Sequence, residues 1–166
     1  MVEQILQAGD PKLTIENRDL NFKTDRPYII SVFDRMKTVM KENPFVGLAA
    51  PQIGENINLF ITEIRKTKYR TDLNEIDPLR IYINPKITYY SKELVVMTEG
   101  CGSVDYGKTR FDISRPKDIV IVYFDIDGNE VKEKVYKLRS RVIQHEYDHL
   151  QGKLITSDEF KNEKHQ

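Results

Sequence analysis

The chain has 166 residues, 39% hydrophobic and 31% charged, with 26 basic side chains balanced by 26 acidic ones. That length suits a single domain, expected over residues 1–166, which can bury a core without metal or disulfide staples. The zero net charge supplies no global field for nucleic acid or an anionic bilayer, so no direct DNA binding is expected. No apolar run approaches the roughly 18 residues of a membrane span.

No internal repeat, low-complexity block or Gly/Ser linker divides the chain. No basic stretch followed by an apolar one opens it, so no secretory signal is expected. Residues 1–24 read as an irregular arm with a turn at Gly9-Asp10-Pro11. A helix is predicted over 26–42, capped by Asp25 with Pro27 at its first position. Ile29, Ile30, Phe33, Met36, Val39 and Met40 give it a buried face, and Asn43-Pro44 ends it. Residues 45–54 are small, apolar and broken by Gly and Pro, which suits a tight loop or short irregular strand. Strands are predicted at 57–64, then at 80–90 and 94–101 around Ser91-Lys92-Glu93, with 65–79 a surface loop. Residues 119–125 and 130–136 flank Asp127-Gly128, a hairpin signature. Leu138, Val142, His145 and His149 then follow at spacings of four, three and four, one face of a helix that Gly152 ends. The fold class expected is α+β: mostly antiparallel sheets, an early helix, and a late helix packed on the sheet.

The scarcest residues are the most informative. Cys101 is the one cysteine, which excludes an intrachain disulfide. Two of the three histidines frame His145-Glu146-Tyr147-Asp148-His149, an H-E-x-x-H pattern on the late helix. Histidines at i and i+4 reach one metal ion together, and the glutamate between them reaches a water without being a ligand. The bland alternative is a chance pair of core or surface histidines. A third protein ligand is required. The extension to a third histidine fails, because position 155 is Ile. Glu159, Glu163 and His165 lie in a charged tail expected to fray. Cys101 remains, at a strand end between Gly100 and Gly102. A lone cysteine is usually a small buried hydrophobe; beside the histidine pair, a Cys-His-His set suited to Zn or Fe(II) is the better reading.

With these residues in view, the chain resembles the peptide deformylase family over essentially its whole length. The resemblance rests on Phe45-Val46-Gly47-Leu48-Ala49-Ala50-Pro51-Gln52, on Glu99-Gly100-Cys101-Gly102-Ser103 and on the H-E-x-x-H segment, in that order. Gln7-Ala8-Gly9-Asp10-Pro11 and Asn84-Pro85 also fit the family layout. It implies a metallohydrolase that takes the N-formyl group from the N-terminal methionine of nascent polypeptides and releases formate. Cys101, His145 and His149 would hold one divalent metal ion, commonly Fe(II) and otherwise Zn(II), Ni(II) or Co(II), with the thiolate making an iron site oxygen-sensitive. The ion would lower the pKa of water. Glu146 would take the water proton and return one to the leaving amine. The side-chain amide of Gln52 and the backbone N–H of Gly102 would stabilise the oxyanion.

Other positions carry two readings. Glu99 is either a solvated strand-end charge or a group that fixes the metal loop. Gly47, Ala49 and Ala50 pack closely and shape the site wall. Asp148 is structural, with Arg115 as a candidate partner. Arg110 and Arg115 read as surface charges before peptide contacts. The peptide would lie extended along the strand ending near 97–100, passing Gly47, Glu99 and Gly100. Val46, Leu138 and Val142 would line a methionine-sized pocket, and are equally readable as core.

Two positions depart from the family pattern. Phe45 stands where a glycine is usual, adding bulk at the site mouth. Gly102 stands where a leucine is common, leaving its N–H but a looser loop. The rivals are another H-E-x-x-H metallohydrolase, such as a metalloprotease, a metal- or peptide-binding paralogue with altered or no deformylase activity, and an interaction domain with accidental motifs. A monomer is expected, in the cytoplasm or in an organelle matrix, with at most transient ribosome contact and no membrane association.

Overall fold

A computed structural model describes residues 3–72 and 74–161. Its first long element is helix α1, Phe22–Glu42. Strands β1 (Gly47–Ala49), β2 (Leu59–Ile64) and β3 (Asp77–Tyr90) follow. Next come β4 (Leu94–Gly100) and β5 (Arg110–Pro116), then β6 (Ile119–Phe124) and β7 (Glu130–Val135). Helix α2 spans Lys137–Leu150 and a one-turn helix α3 spans Asp158–Lys161. All strand pairings are antiparallel. Five strands form one sheet in the order β1-β2-β3-β6-β7, while β4 and β5 form a separate pair.

The large sheet lies between the two long helices. Ile29, Val32, Met36, Val39 and Met40 of α1 pack on one face, against Leu48, Leu59, Ile61, Ile81 and Ile83. On the other face Phe60, Tyr82, Ile121 and Tyr123 meet Ile143 and Leu150 of α2. Consecutive residues of β2 point to opposite faces, so a strand covered on both sides must be apolar throughout; Leu59, Phe60, Ile61 and Thr62 are all fully buried. At the sheet edge, β7 alternates, with Glu130, Lys132 and Lys134 toward solvent and Glu133 bonded to Tyr123 and Arg139.

The α+β architecture matches the expectation, and several boundaries move. Helix α1 starts at Phe22, because Asn21 is its cap and accepts from the Lys23 N–H at 2.9 Å. Asp25 reaches back instead, accepting from the Asn21 N–H at 2.8 Å and pairing with Arg18. Pro27 therefore sits inside the helix. Ile30 is 42% exposed and Val32, not expected in the core, is fully buried. Strands β3 and β4 follow one another in sequence but belong to different sheets. Strand β5 carries no clear apolar alternation, with Arg110, Asp112 and Arg115 among its residues, and it went unseen in the sequence. Gly152 ends α2 as expected, with φ +72° and with Thr14 O only 3.1 Å from where a Cβ would stand. Asn84 binds both the N–H and the C=O of Leu20, pinning the N-terminal arm to β3.

Proline inside a helix removes a backbone hydrogen bond and crowds the preceding turn. Replacing the exposed Pro27 with alanine is expected to raise the unfolding free energy by about 1 kcal/mol, the loss of unfolded-state stiffness offsetting part of the gain. Urea denaturation of Pro27→Ala beside the parent checks this.

Candidate active site

Helix α2 presents one buried face to the gap between β1 and the end of β4. It carries His145, Glu146 and His149, of which Glu146 and His149 are buried to within a few per cent. Cys101 follows directly on β4 and is also buried. One ligand atom from each of Cys101, His145 and His149 lies within 4.8 Å of the others. Cys101 Sγ is 3.4 Å from His149 Nε2. His145 donates from Nδ1 to Glu99 Oε1 at 2.8 Å, which leaves its Nε2 for the gap.

Glu99 is not a solvated strand-end charge. It is 3% exposed and accepts from Arg115 at 2.7 and 3.0 Å, from Arg141 Nη1 and from His145. Burial alone would push the Glu99 carboxyl up; the hydrogen bonds from His145 and Arg115, with the charge of Arg115, outweigh it and hold it well below the usual carboxylate range. Arg115, expected at the surface, is 4% exposed and also pairs with Asp148 at 2.7 Å, the partner foreseen for that aspartate. Arg141 was not foreseen. It donates to Glu99, to the Ile113 carbonyl and to the Val95 carbonyl, so it ties α2 to both strands of the small sheet. Its place one helical turn before His145, as 141, 145 and 149, is the spacing that could have revealed it.

Glu146 behaves differently. Burial, first among the causes, pushes its carboxyl up to about 7, with His145 and Arg115 pulling down and Glu99 and Asp148 pushing up. Its Oε2, with His149 Nδ1, is a buried polar atom lacking a hydrogen-bond partner among the described residues. Burial, then the positive charges of His145 and Arg115, push the His149 imidazole down, toward the neutral form that ligates metal. Thiolate and imidazole donors converging on one point, with an unpartnered carboxyl beside them, fit a divalent metal ion.

The opposite wall comes from residues 44–52. Gly47 passes so close to α2 that a Cβ would fall 2.4 Å from Glu146 Oε1. Gln52 is held by the Ala49 N–H, which donates to its Oε1 at 2.9 Å. That fixes the amide nitrogen toward Ser103 Oγ at 3.1 Å and Cys101 Sγ at 4.0 Å. The Gly102 N–H has no partner among the described residues, while its carbonyl accepts from Gln7 Nε2 at 2.9 Å. The cleft between the walls is lined by Phe45, Val46, Gly47, Gly100, Gly102 and Val142, with Cys101 and His145 of the candidate donor set. Leu138 is not among its lining residues: it packs with Ile64 and Val142 in a small cluster that Val46 joins. Tyr69, Arg70 and Arg110 rim the mouth, and Arg110 lies over the Tyr69 ring at 5.5 Å. Glu159 lies away from the site, paired with Lys153 at 3.3 Å. Glu163 and His165 lie outside the described residues.

The family model for polypeptide deformylases matches residues 2–166. The chain belongs to that family. It is 36% identical to a peptide deformylase of Pseudothermotoga lettingae over 155 residues, covering 93% of this chain and 81% of the relative. Among solved structures, a class I type b peptide deformylase of Acinetobacter baumannii crystallised with Met-Ala-Ser superposes with a TM-score of 0.86 at 26% identity, covering 93% of this chain and 96% of that one. A probable peptide deformylase of Synechococcus phage S-SSM7 gives 0.79 at 32% identity, covering 96% and 97%. Membership makes the chain a metal-dependent hydrolase that removes formyl groups from polypeptide N-termini. The deformylase fold is the expected one, and the family requires a catalytic metal ion, for which this chain has a fitting donor set.

Two variants probe the geometry. Glu99→Ala strands Arg141 as a buried unpaired charge and leaves Arg115 with Asp148 alone, so a loss of about 3–5 kcal/mol in denaturant unfolding is expected. Metal affinity, measured by competition with a chelator, should fall roughly 10- to 100-fold with it. Gly47→Ala forces the Glu146 carboxyl aside, and turnover should fall on the order of 100-fold while bound metal is kept.

Proposed function

We propose that the chain deformylates the N-terminal methionine of nascent polypeptides through the residues gathered between β1, β4 and α2, with residues 1–166 acting as one catalytic domain. The observation that carries this reading is the convergence of Cys101, His145 and His149 within 4.8 Å, beside a buried Glu146 carboxyl. In this reading Cys101, His145 and His149 hold the metal. A divalent ion there supplies Lewis acidity and a water acidic enough to be a nucleophile near neutral pH.

The remaining work falls to the chain. Glu146, with its carboxyl near 7, takes a proton from the attacking water and later gives one to the departing amine. The Gln52 amide nitrogen donates to Ser103 Oγ and, at 4.0 Å, toward Cys101 Sγ, and this second N–H turns to the developing oxyanion. Gly102 adds its backbone N–H. Both donors are neutral, so neither brings a charge that must itself be compensated. Glu99 holds the His145 ring in orientation through Nδ1. The peptide runs along the cleft past Val46, Gly47, Gly100 and Val142, with Arg70 and Arg110 also in the lining. The peptide in the Acinetobacter baumannii structure supports a substrate of that class.

Fe(II) is the native ion in this reading, with Zn(II), Ni(II) and Co(II) accepted by the same donors. The protein works as a monomer in the cytoplasm or an organelle matrix and meets its substrates near the ribosome. No helix of the described residues is long and apolar enough to cross a membrane.

The test is formate release from formyl-Met-Ala-Ser by anaerobically purified protein loaded with Fe(II), Ni(II) or Zn(II). One metal per chain and turnover are expected. Glu146→Ala should keep the metal and lose roughly 100- to 10,000-fold in kcat, whereas Cys101→Ala should lose the metal. Turnover that survives Glu146→Ala, or metal that survives Cys101→Ala, would overturn these assignments.

A further inference from the structure

Gly102 does not have a backbone that demands glycine: its φ lies outside the left-handed region. What excludes a side chain there is space. A Cβ on Gly102 would lie 2.7 Å from Phe45 Cζ and 3.1 Å from both Cε atoms. The same ring lies 3.8 Å from where a Cβ of Gly107 would stand. Phe45 thus reaches from one wall of the cleft, residues 44–47, across to the other, residues 101–107.

Neither wall is free to give way. Arg65 Nη2 donates to the carbonyls of Phe45 at 3.1 Å, Asn43 at 3.0 Å and Met40, fixing the root of the ring against the end of α1. Gln7 holds the Gly102 carbonyl, and the Ala8 N–H donates to Ser103 O at 2.7 Å. Phe45 also packs against the core under α1, so its ring is anchored at one end and lines the cleft at the other. The bulk at 45 and the missing side chain at 102 are therefore one exchange of volume across the cleft. The loop is not loosened, because the ring fills the space.

We propose that Phe45 and Gly102 form an interlocked pair in which the Phe45 ring supplies the apolar wall beside the metal-ligating loop and so determines the fit of the substrate's apolar N-terminal residue. The ring joins Val46 and Val142 in the apolar lining of the cleft, which Arg70 and Arg110 also line. A substrate side chain entering between them meets a ring anchored at the end of α1, where a side chain on the Cys101 loop would otherwise stand. The interlock follows from the packing alone; the substrate role rests on the deformylase reading.

A double-mutant cycle tests both parts, using the parent, Phe45→Gly, Gly102→Leu and the double variant. Thermal unfolding is the first readout and needs no activity. Gly102→Leu should lower the midpoint by several degrees in the parent, since overpacking has no room to relax. In the Phe45→Gly background the same change should be neutral or stabilising. An equal cost in both backgrounds overturns the interlock. If Gly102→Leu does not fold in the parent but folds in the double variant, the interlock stands; if neither folds, Gly102→Ala replaces it, because a Cβ alone already meets the ring. The second readout is KM and kcat for formyl-Met-Ala-Ser. Phe45→Gly should raise KM about tenfold and change kcat less than about threefold, and Gly102→Leu in that background should recover part of the KM. A loss confined to kcat overturns the specificity role. A parent that binds metal and releases no formate defeats the deformylase reading and the substrate role with it, while the thermal cycle still decides the interlock.

Discussion

The carboxylate of Glu99 is the point on which the rest of the site depends. It belongs to β4, and it is gripped by Arg115 from β5 and by Arg141 and His145 from α2. The β4–β5 pair shares no ladder with the five-stranded sheet. Its attachment to α2 includes this cluster, the bonds from Arg141 to the Val95 and Ile113 carbonyls, and the bond from Gln144 to the Pro116 carbonyl. Taking such charges out of water costs several kcal/mol per ion, and the cost is met only when geometry and partners are complete. Arg115 and Arg141 each have a carboxylate partner in the cluster, Glu99 for both and Asp148 for Arg115. A partial assembly leaves a buried charge unpaired, so the cluster favours one arrangement of β4 against α2.

That arrangement matters because the groups it fixes are the ones that could hold a metal ion. Cys101 lies two residues beyond Glu99, and His145 receives its ring orientation from the same carboxylate. The distance between a thiol on one element and two imidazoles on another is thus set by an ionic cluster packed behind them. A hydrophobic contact could hold the elements together, but it would not select the tautomer of His145 or aim its second nitrogen.

The two carboxylates of this region show how environment assigns work. Glu99 is buried among cations and donors and stays ionised. Glu146 is buried with an oxygen that no group among the described residues satisfies, and its carboxyl rises to about 7. One is held in place as a fixed charge; the other is poised to exchange a proton near neutrality. Gly47 completes the contrast, since only a residue without a side chain lets β1 pass so near Glu146.

Local chemistry in the chain determined much of this. The spacing of His145, Glu146 and His149 on a helix, Cys101 between two glycines, and Gln52 at the end of a small-residue run were all legible, because each pattern is short-range or fixed by residue type. The strand alternation of β6 and β7 and their Asp127-Gly128 turn were legible for the same reason. Strand β5 was not, because its pairing is specified by β4 and by burial of Arg115, which no local period records. Only the tertiary structure decided that Arg115 and Arg141 are buried, that Glu99 serves His145 rather than solvent, and that Leu138 lies off the cleft. It also decided that the two departures from the family pattern compensate each other. Residues 45 and 102 are far apart in sequence, and whether a ring fills a glycine's space is a property of packing, which appears only once both walls are in place.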